Sequence, residues 1–283
     1  MNRRLFMGTL IGGAVGTALF KNLKGESSTR MPTLFLAHGS PMNAIAHNSF
    51  TQFLEQTGKE LPTPKALLVI SAHWETMGTK VLKLERPRTI HDFGGFPEPL
   101  YQIQYPAPGD LALADRISKL SPLIETDSTW GLDHGTWAVL KFLYPKADVP
   151  VLQLSLNRNM TFKDHLNLAR ELSVLRNEGV LIVGSGNVTH NLRRISWTED
   201  APATDWALEF DELLKNAILK RDEDFLLGKT GKYQSLWNMA HPSVEHYLPI
   251  LYAYGAADSP EKVKYIFEGM QNASLSMRSM MFA

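Results

Sequence analysis

The sequence predicts an α/β fold: a single domain with a largely parallel central sheet flanked by helices. Three observations predict it. Short, nearly continuous apolar runs recur along the chain, longer segments with helical periodicity separate them, and no internal repeat or Gly/Ser-rich linker divides the 283 residues. The first run, Thr33–Ala37 (TLFLA), reads as a strand covered on both faces. A helix over Ser49–Gln56 follows, then a second strand, Ala66–Ser71 (ALLVIS). Val81–Glu85 reads as an edge strand. The stretch Arg86–Gly109 carries Pro87, Pro97, Pro99, Pro106 and Pro108 and reads as a long loop, which in a compact domain tends to serve function. Helices over Asp110–Leu120 and Thr136–Tyr144 precede the strand Val149–Ser155 (VPVLQLS). A helix over Phe162–Asn177 leads to the strand Val180–Ser185 (VLIVGS). Helices over Thr204–Leu219 and Val244–Gly255 and an edge strand over Val263–Phe267 complete the domain, which spans residues 31–283.

Composition narrows the chemistry. With 44% hydrophobic and 20% charged residues, the chain has the make-up of a folded protein able to bury a sizeable core. Lys+Arg and Asp+Glu are both 29, so no basic excess points to nucleic acid as a partner. Cys is 0, which removes disulfides, thiolate metal sites and cysteine nucleophiles. Any metal must then be held by His, Asp or Glu.

Residues 1–30 read as a segment apart from the domain. Arg3 and Arg4 precede the uncharged stretch Leu5–Phe20, which is short for a membrane-spanning helix. The Arg-Arg-Leu-Phe-Met run resembles a twin-arginine export signal, so a periplasmic location is expected. No clear A-x-A cleavage site is present, so the segment could also stay as an anchor, with membrane association only through residues 5–20. A start at Met31 would give a cytoplasmic form instead.

Histidines gather where strands end. His38 follows the first strand in LAHGSP, His73 the second in SAHW, and His190 the fourth in GSGNVTHN. Ligands of open α/β sheets bind beyond the carboxyl ends of parallel strands, so these three should share an edge. His134 (LDHGTW) precedes a helix, and His246 lies near the start of another. A lone loop histidine is usually structural, but several beside small residues in a chain without cysteine point to a joint metal site. No HExxH occurs. Thr189 takes the third glycine position of a dinucleotide fingerprint, and no G-x-S-x-G elbow surrounds Ser40, Ser71 or Ser185. In TIHDFGGFP, His91 and Asp92 could coordinate, bind substrate or form a polar turn. Trp74, Tyr101, Tyr105 and Trp137 could line an aromatic-binding pocket or pack in the core. Glu245 reads as a first-turn carboxylate, His47 and His165 as surface residues, and His241 as a helix-flanking residue.

Six segments in order carry a resemblance: LFLAHGSPMN, ISAHWET, IHDFGGFPEPLYQIQYPAPG, GLDHGTWAVLKFLYP, GSGNVTHNLR and EHYLPILYAYGA. Together they resemble the DOPA 4,5-dioxygenase-like group of class III extradiol ring-cleavage dioxygenases, from about residue 31 to 283. The resemblance implies a non-haem divalent metal, one per chain, O2 as co-substrate and a small aromatic diol as substrate. It makes His38 and His73 metal ligands. His246 takes the place that a glutamate holds in related extradiol enzymes, with Glu245 adjacent. His190 matches the family's active-site histidine, as catalytic base and as a further neighbour of the metal, and His134 stands beside them as a second catalytic residue. His91, Trp74 and Tyr101 are the expected substrate-binding residues. A three-His set suits Zn²⁺, whereas oxygenase chemistry calls for Fe²⁺. A zinc-dependent hydrolase on the same three histidines is therefore the alternative, and a non-catalytic binding protein is a third reading. The sequence leaves the oligomeric state open.

Overall fold

The computed structural model describes residues 30–198, 201–259 and 261–283. The expected export segment, residues 1–30, lies outside the described residues apart from Arg30. Among the described residues no helix is long and apolar enough to cross a membrane.

Among the described residues ten strands form, in chain order: β1 Thr33–Ala37, β2 Ala66–Thr76, β3 Thr79–Leu82, β4 Ile124–Asp127, β5 Val151–Asn157, β6 Val180–Gly186, β7 Val263–Phe267, β8 Met270–Gln271, β9 Leu275–Ser276 and β10 Ser279–Phe282. Eight of them make one sheet in the order β4-β3-β5-β2-β6-β1-β10-β7, and β8 pairs with β9. The middle of the sheet, β5-β2-β6-β1, is parallel throughout. Its flanks are mixed: β3 runs antiparallel to β5 but parallel to β4, and β10 runs antiparallel to both β1 and β7. The expected edge strand near Val81 is thus second from the edge, because β4 lies outside it.

The continuous apolar runs become two cores through strand alternation, since successive side chains face opposite sides of a sheet. Phe35, Leu68, Ile70, Val180 and Ile182 face one side. Leu34, Leu36, Leu67, Val69, Leu181 and Val183 face the other. Nine helices cover these faces: α1 Ser49–Glu60, α2 Glu98–Tyr101, α3 Leu111–Ser118, α4 His134–Leu143, α5 Phe162–Leu172, α6 Asp205–Lys220, α7 Glu223–Leu226, α8 Gln234–Ala240 and α9 Leu248–Gly255 are those among the described residues. α1 and α4 lie on the second face with the long loop; α5, α6, α8 and α9 lie on the first.

Local chemistry sets the boundaries that matter for the site. α4 begins at His134, two residues earlier than periodicity suggests, because the Asp133 side chain accepts from Thr136 N and caps it. The helix expected over Phe162–Asn177 stops at Leu172 and continues as a 3-10 turn over Ser173–Glu178. Within that turn Arg176 is buried and bonds the Met31 and Ala256 carbonyls and Glu261. The helix expected from Val244 begins only at Leu248, so Glu245 and His246 lie in the turn before it and Glu245 is no first-turn residue. β2 runs on past Ser71, but its pairing with β5 breaks between Ile70 and Glu75. A bulge there re-aims the strand where His73 stands.

Two glycines of β6 let α9 approach. A Cβ on Gly184 would lie 2.2 Å from the Pro249 carbonyl oxygen, and one on Gly186 2.1 Å from that of His246. Gly184→Ala is therefore expected to push α9 off the sheet and cost about 1–3 kcal/mol, as overpacking does. Urea unfolding should show a lower midpoint at unchanged slope; an unchanged midpoint would mean that the strand and helix tolerate the methyl.

Candidate metal centre

Three imidazoles converge at the carboxyl edge of the parallel strands. His38 ends β1, His73 stands on the β2 bulge, and His246 is brought in by the turn before α9. Each offers a ring nitrogen, and the three nitrogens lie within 4.8 Å of one another. Nε2 of His38 is 3.2 Å from Nε2 of His73.

Hydrogen bonds decide which nitrogens carry protons. The Ser185 hydroxyl donates to the Gly135 carbonyl at 2.5 Å, so at its 3.0 Å contact with His38 it accepts from Nδ1–H. Nδ1 of His73 lies 3.2 Å from Asp92 Oδ2, and Nδ1 of His246 lies 2.9 Å from Glu245 Oε1. Ionised carboxylates only accept, so His246 Nδ1 donates to Glu245, and the Asp92 charge beside His73 Nδ1 favours the proton on that nitrogen. All three rings are left with a bare Nε2. Two bare nitrogens at 3.2 Å repel unless a cation stands between them. Zn–N bonds of roughly 2.0–2.1 Å put two tetrahedral ligands about 3.3 Å apart, so the spacing fits a shared ion. The orienting oxygens complete the arrangement that metal-binding histidines need.

Burial keeps these rings neutral. It lowers His38 and His246 well below the ordinary histidine range, and neighbouring imidazoles act in the same direction. His73 falls to about 3, again mainly through burial, with His134 adding to it and Asp92 opposing it. Neutral imidazole is the ligand form.

Asp92 links two histidines. It accepts from His134 N at 2.8 Å and from His134 Nδ1 at 2.9 Å, and its Oδ2 lies 3.2 Å from His73 Nδ1. Burial alone would raise its pKa, but the hydrogen bonds and charges of His134 and His73 outweigh that and hold it below the usual range. Ser71 donates to the buried Asp133 carboxylate at 2.7 Å and accepts from His73 N at 3.2 Å, tying the bulge to the α4 cap. His190 stacks on His246, with ring centroids 3.4 Å apart and planes 7° from parallel. It groups with Glu245 and His246 and does not join the His38–His73–His246 set. Burial lowers its pKa to about 4, with Glu245 opposing and His134 reinforcing.

A cavity of about 650 Å³ opens above the histidines. All five line it, with Asp92 and Glu245 at the polar end and Phe93, Phe96, Leu192 and Trp197 toward the outside. The expected substrate-binding residues do not line it. Trp74 follows His73 along a strand, so it points the other way and stacks on Trp130 at 5.7 Å. His91 likewise turns away from the side Asp92 faces, and its Nε2 donates to the Ile103 carbonyl at 3.0 Å. Tyr101 packs behind Phe93, with ring centroids 5.2 Å apart. His47 is exposed as expected. His165 is fully buried against the Tyr252 hydroxyl rather than on the surface, and His241 is buried and donates to the Val188 carbonyl. Phe93 and Phe96 come from the Arg86–Gly109 loop, whose aromatics the sequence places over the pocket, whereas Leu192, Trp197 and Gln271 carry no sequence signal as cavity residues.

Comparison with known proteins bears on this geometry. Residues 28–282 match the family described as the catalytic LigB subunit of aromatic ring-opening dioxygenase. A relative from Escherichia coli K12 named 4,5-DOPA dioxygenase extradiol is 45% identical over 258 residues, covering 89% of this chain and 95% of its own. A relative of the same name from Beta vulgaris is 38% identical, covering 91% and 98%. The crystal structure of the uncharacterized protein JW3007 from E. coli K12 superposes with a TM-score of 0.78 at 39% identity, covering 90% of this chain and all of that one. A family match over nearly the whole chain, on a fold that gathers histidines at one sheet edge, leads to one conclusion: this chain belongs to the LigB family and is an aromatic ring-opening dioxygenase of the class III extradiol group.

Proposed function

We propose that the protein opens the ring of a catechol-type, DOPA-like substrate beside its diol, consuming O2, with one divalent ion held by His38, His73 and His246. The observation that carries this reading is the convergence of three neutral imidazoles, each with its Nδ1 turned to a serine or carboxylate oxygen. We assign Fe²⁺ for turnover. Bound there, it supplies a redox-active Lewis acid through which O2 and the catechol exchange electrons that they do not exchange directly.

The protein's own groups do the rest. His190 is half-buried and neutral, so its ring can take a proton from a catechol hydroxyl and return it as the ring opens. His134 donates from Nδ1 to Asp92, which leaves Nε2 to meet a substrate oxygen. Asp92 fixes the rings of His73 and His134 together, so a ligand and a substrate contact move as one unit. Phe93 and Phe96 close one side of the cavity with apolar surface and keep water from the reacting atoms. The same three imidazoles also suit Zn²⁺, and the hydrolase alternative differs in one outcome, since a hydrolase consumes no oxygen.

The deciding experiment is anaerobic loading with Fe²⁺ followed by a catechol in aerated buffer. One O2 should disappear per ring opened, with a yellow semialdehyde product; loaded protein that takes up no O2 with any catechol would end the proposal. Dialysis against a chelator should abolish this uptake and Fe²⁺ should restore it. His73→Ala should lose the ion, measured as metal per chain, because ligand sets tolerate such loss poorly. His190→Ala should keep the ion and lower turnover by about two to four powers of ten, the usual worth of an acid–base group. Turnover equal to the parent protein would move the proton transfer to another residue.

A further inference from the structure

We propose that the side-chain amides of Asn43 and Gln271 are a positioning pair that holds His38 in place for the ion, so that metal affinity depends on the distant β8–β9 hairpin. The inference rests on the three-histidine ligand set proposed above.

His38 is the last residue that β1 can steady. Its N–H still donates to the Gly186 carbonyl at 3.1 Å, but the chain then turns at Gly39, whose φ of +62° lies in the left-handed region. Beyond the strand, the His38 carbonyl is held by a side chain: Asn43 Nδ2 donates to it at 3.0 Å. Asn43 sits in the 3-10 turn Pro41–Ile45. Gln271 lies 228 residues further along the chain. Its Oε1 accepts from Ser40 N at 2.9 Å and from Asn43 Nδ2 at 3.1 Å, and its Nε2 donates to Asn43 Oδ1 at 2.9 Å. Each hydrogen of Asn43 Nδ2 thus has its own acceptor, and the two amides face each other donor to acceptor in both directions. Turning either amide over would set like against like, which fixes both orientations.

The pair is dry and close to the ligand. Asn43 is 3% exposed and Gln271 7%. A Cβ on Gly39 would stand 2.5 Å from Gln271 Oε1, so the amide presses on the residue that follows His38. The hairpin is anchored in turn. Arg278 Nε donates to Asp211 on α6 at 2.9 Å, and Ser276 Oγ donates to the same carboxylate at 2.6 Å. Ser185 orients the His38 ring from one side while the amide pair holds its backbone from the other.

Co²⁺ is the probe, since histidine nitrogens bind it and its visible absorption reports the ligand set. Metal-free Gln271→Ala and Gln271→Glu are titrated with Co²⁺ against a competing chelator, with circular dichroism and thermal melting as checks on the fold. Gln271→Ala should weaken Co²⁺ binding about 10-fold or more and alter the absorption band. Gln271→Glu keeps both acceptor contacts but sets a second carboxylate oxygen against Asn43 Oδ1 and brings a charge, so it should alter the absorption band even where that charge favours Co²⁺ binding. Co²⁺ affinity within about two-fold of the parent and an unchanged band, at whatever melting temperature, would show that the pair serves the fold alone. Should Gln271→Ala not fold, the isosteric Gln271→Glu decides by the same comparison. His73→Ala in the same titration separates the two claims: retained binding there would overturn the ligand set, while lost binding there with normal binding in the Gln271 variants would overturn the positioning pair alone.

Discussion

Three imidazoles turn their Nδ1 atoms toward a serine and two carboxylates, and three nitrogen lone pairs are left facing one small volume. Almost everything else at this edge of the sheet serves that constraint. Burial strips the rings of the option of holding charge, and the orienting oxygens strip them of the option of turning over. Lone pairs arranged like this are costly without a cation, so the arrangement stores affinity before any ion arrives. The parallel middle of the sheet brings strand ends together, the β2 bulge turns His73 inward, and the glycines of β6 admit the turn that carries His246.

Much of this was legible in the sequence, and the misses have physical causes. The strands Thr33–Ala37 and Val263–Phe267 stand where expected, and the histidines at strand ends do share an edge. β4 (IETD) and β10 (SMMF) were not foreseen, because one is short and polar and the other short and rich in methionine, which has little strand preference. Trp74 and His91 were expected among the substrate-binding residues, and each adjoins a residue of the site, His73 and Asp92. In extended chain that nearness works against them, because neighbouring side chains diverge. His165 looked like a surface residue, yet its partner Tyr252 is 87 residues away and sequence gives no hint of it. Gln271 is the same case more strongly, an amide with no motif whose role exists only once the hairpin docks.

Serines considered for nucleophilic catalysis have supporting parts instead. Ser185 donates its hydroxyl hydrogen bond to the Gly135 carbonyl and thereby sets the tautomer of His38. Ser71 ties the backbone of His73 to the carboxylate that caps α4, so the helix that begins with His134 and the strand that carries His73 share one anchor. Small hydroxyls suit such roles because they can accept and donate at once in little space.

The outer neighbour of β1 is β10, from the far end of the described chain. Closing so long a loop is entropically slow, and pairings of that sequence separation form late in folding. The strand bearing His38 therefore waits for the final stretch of polypeptide before it gains its second flank. Until β10 docks, the sheet edge that carries His38 lacks one flank, and the cradle for an ion is unfinished.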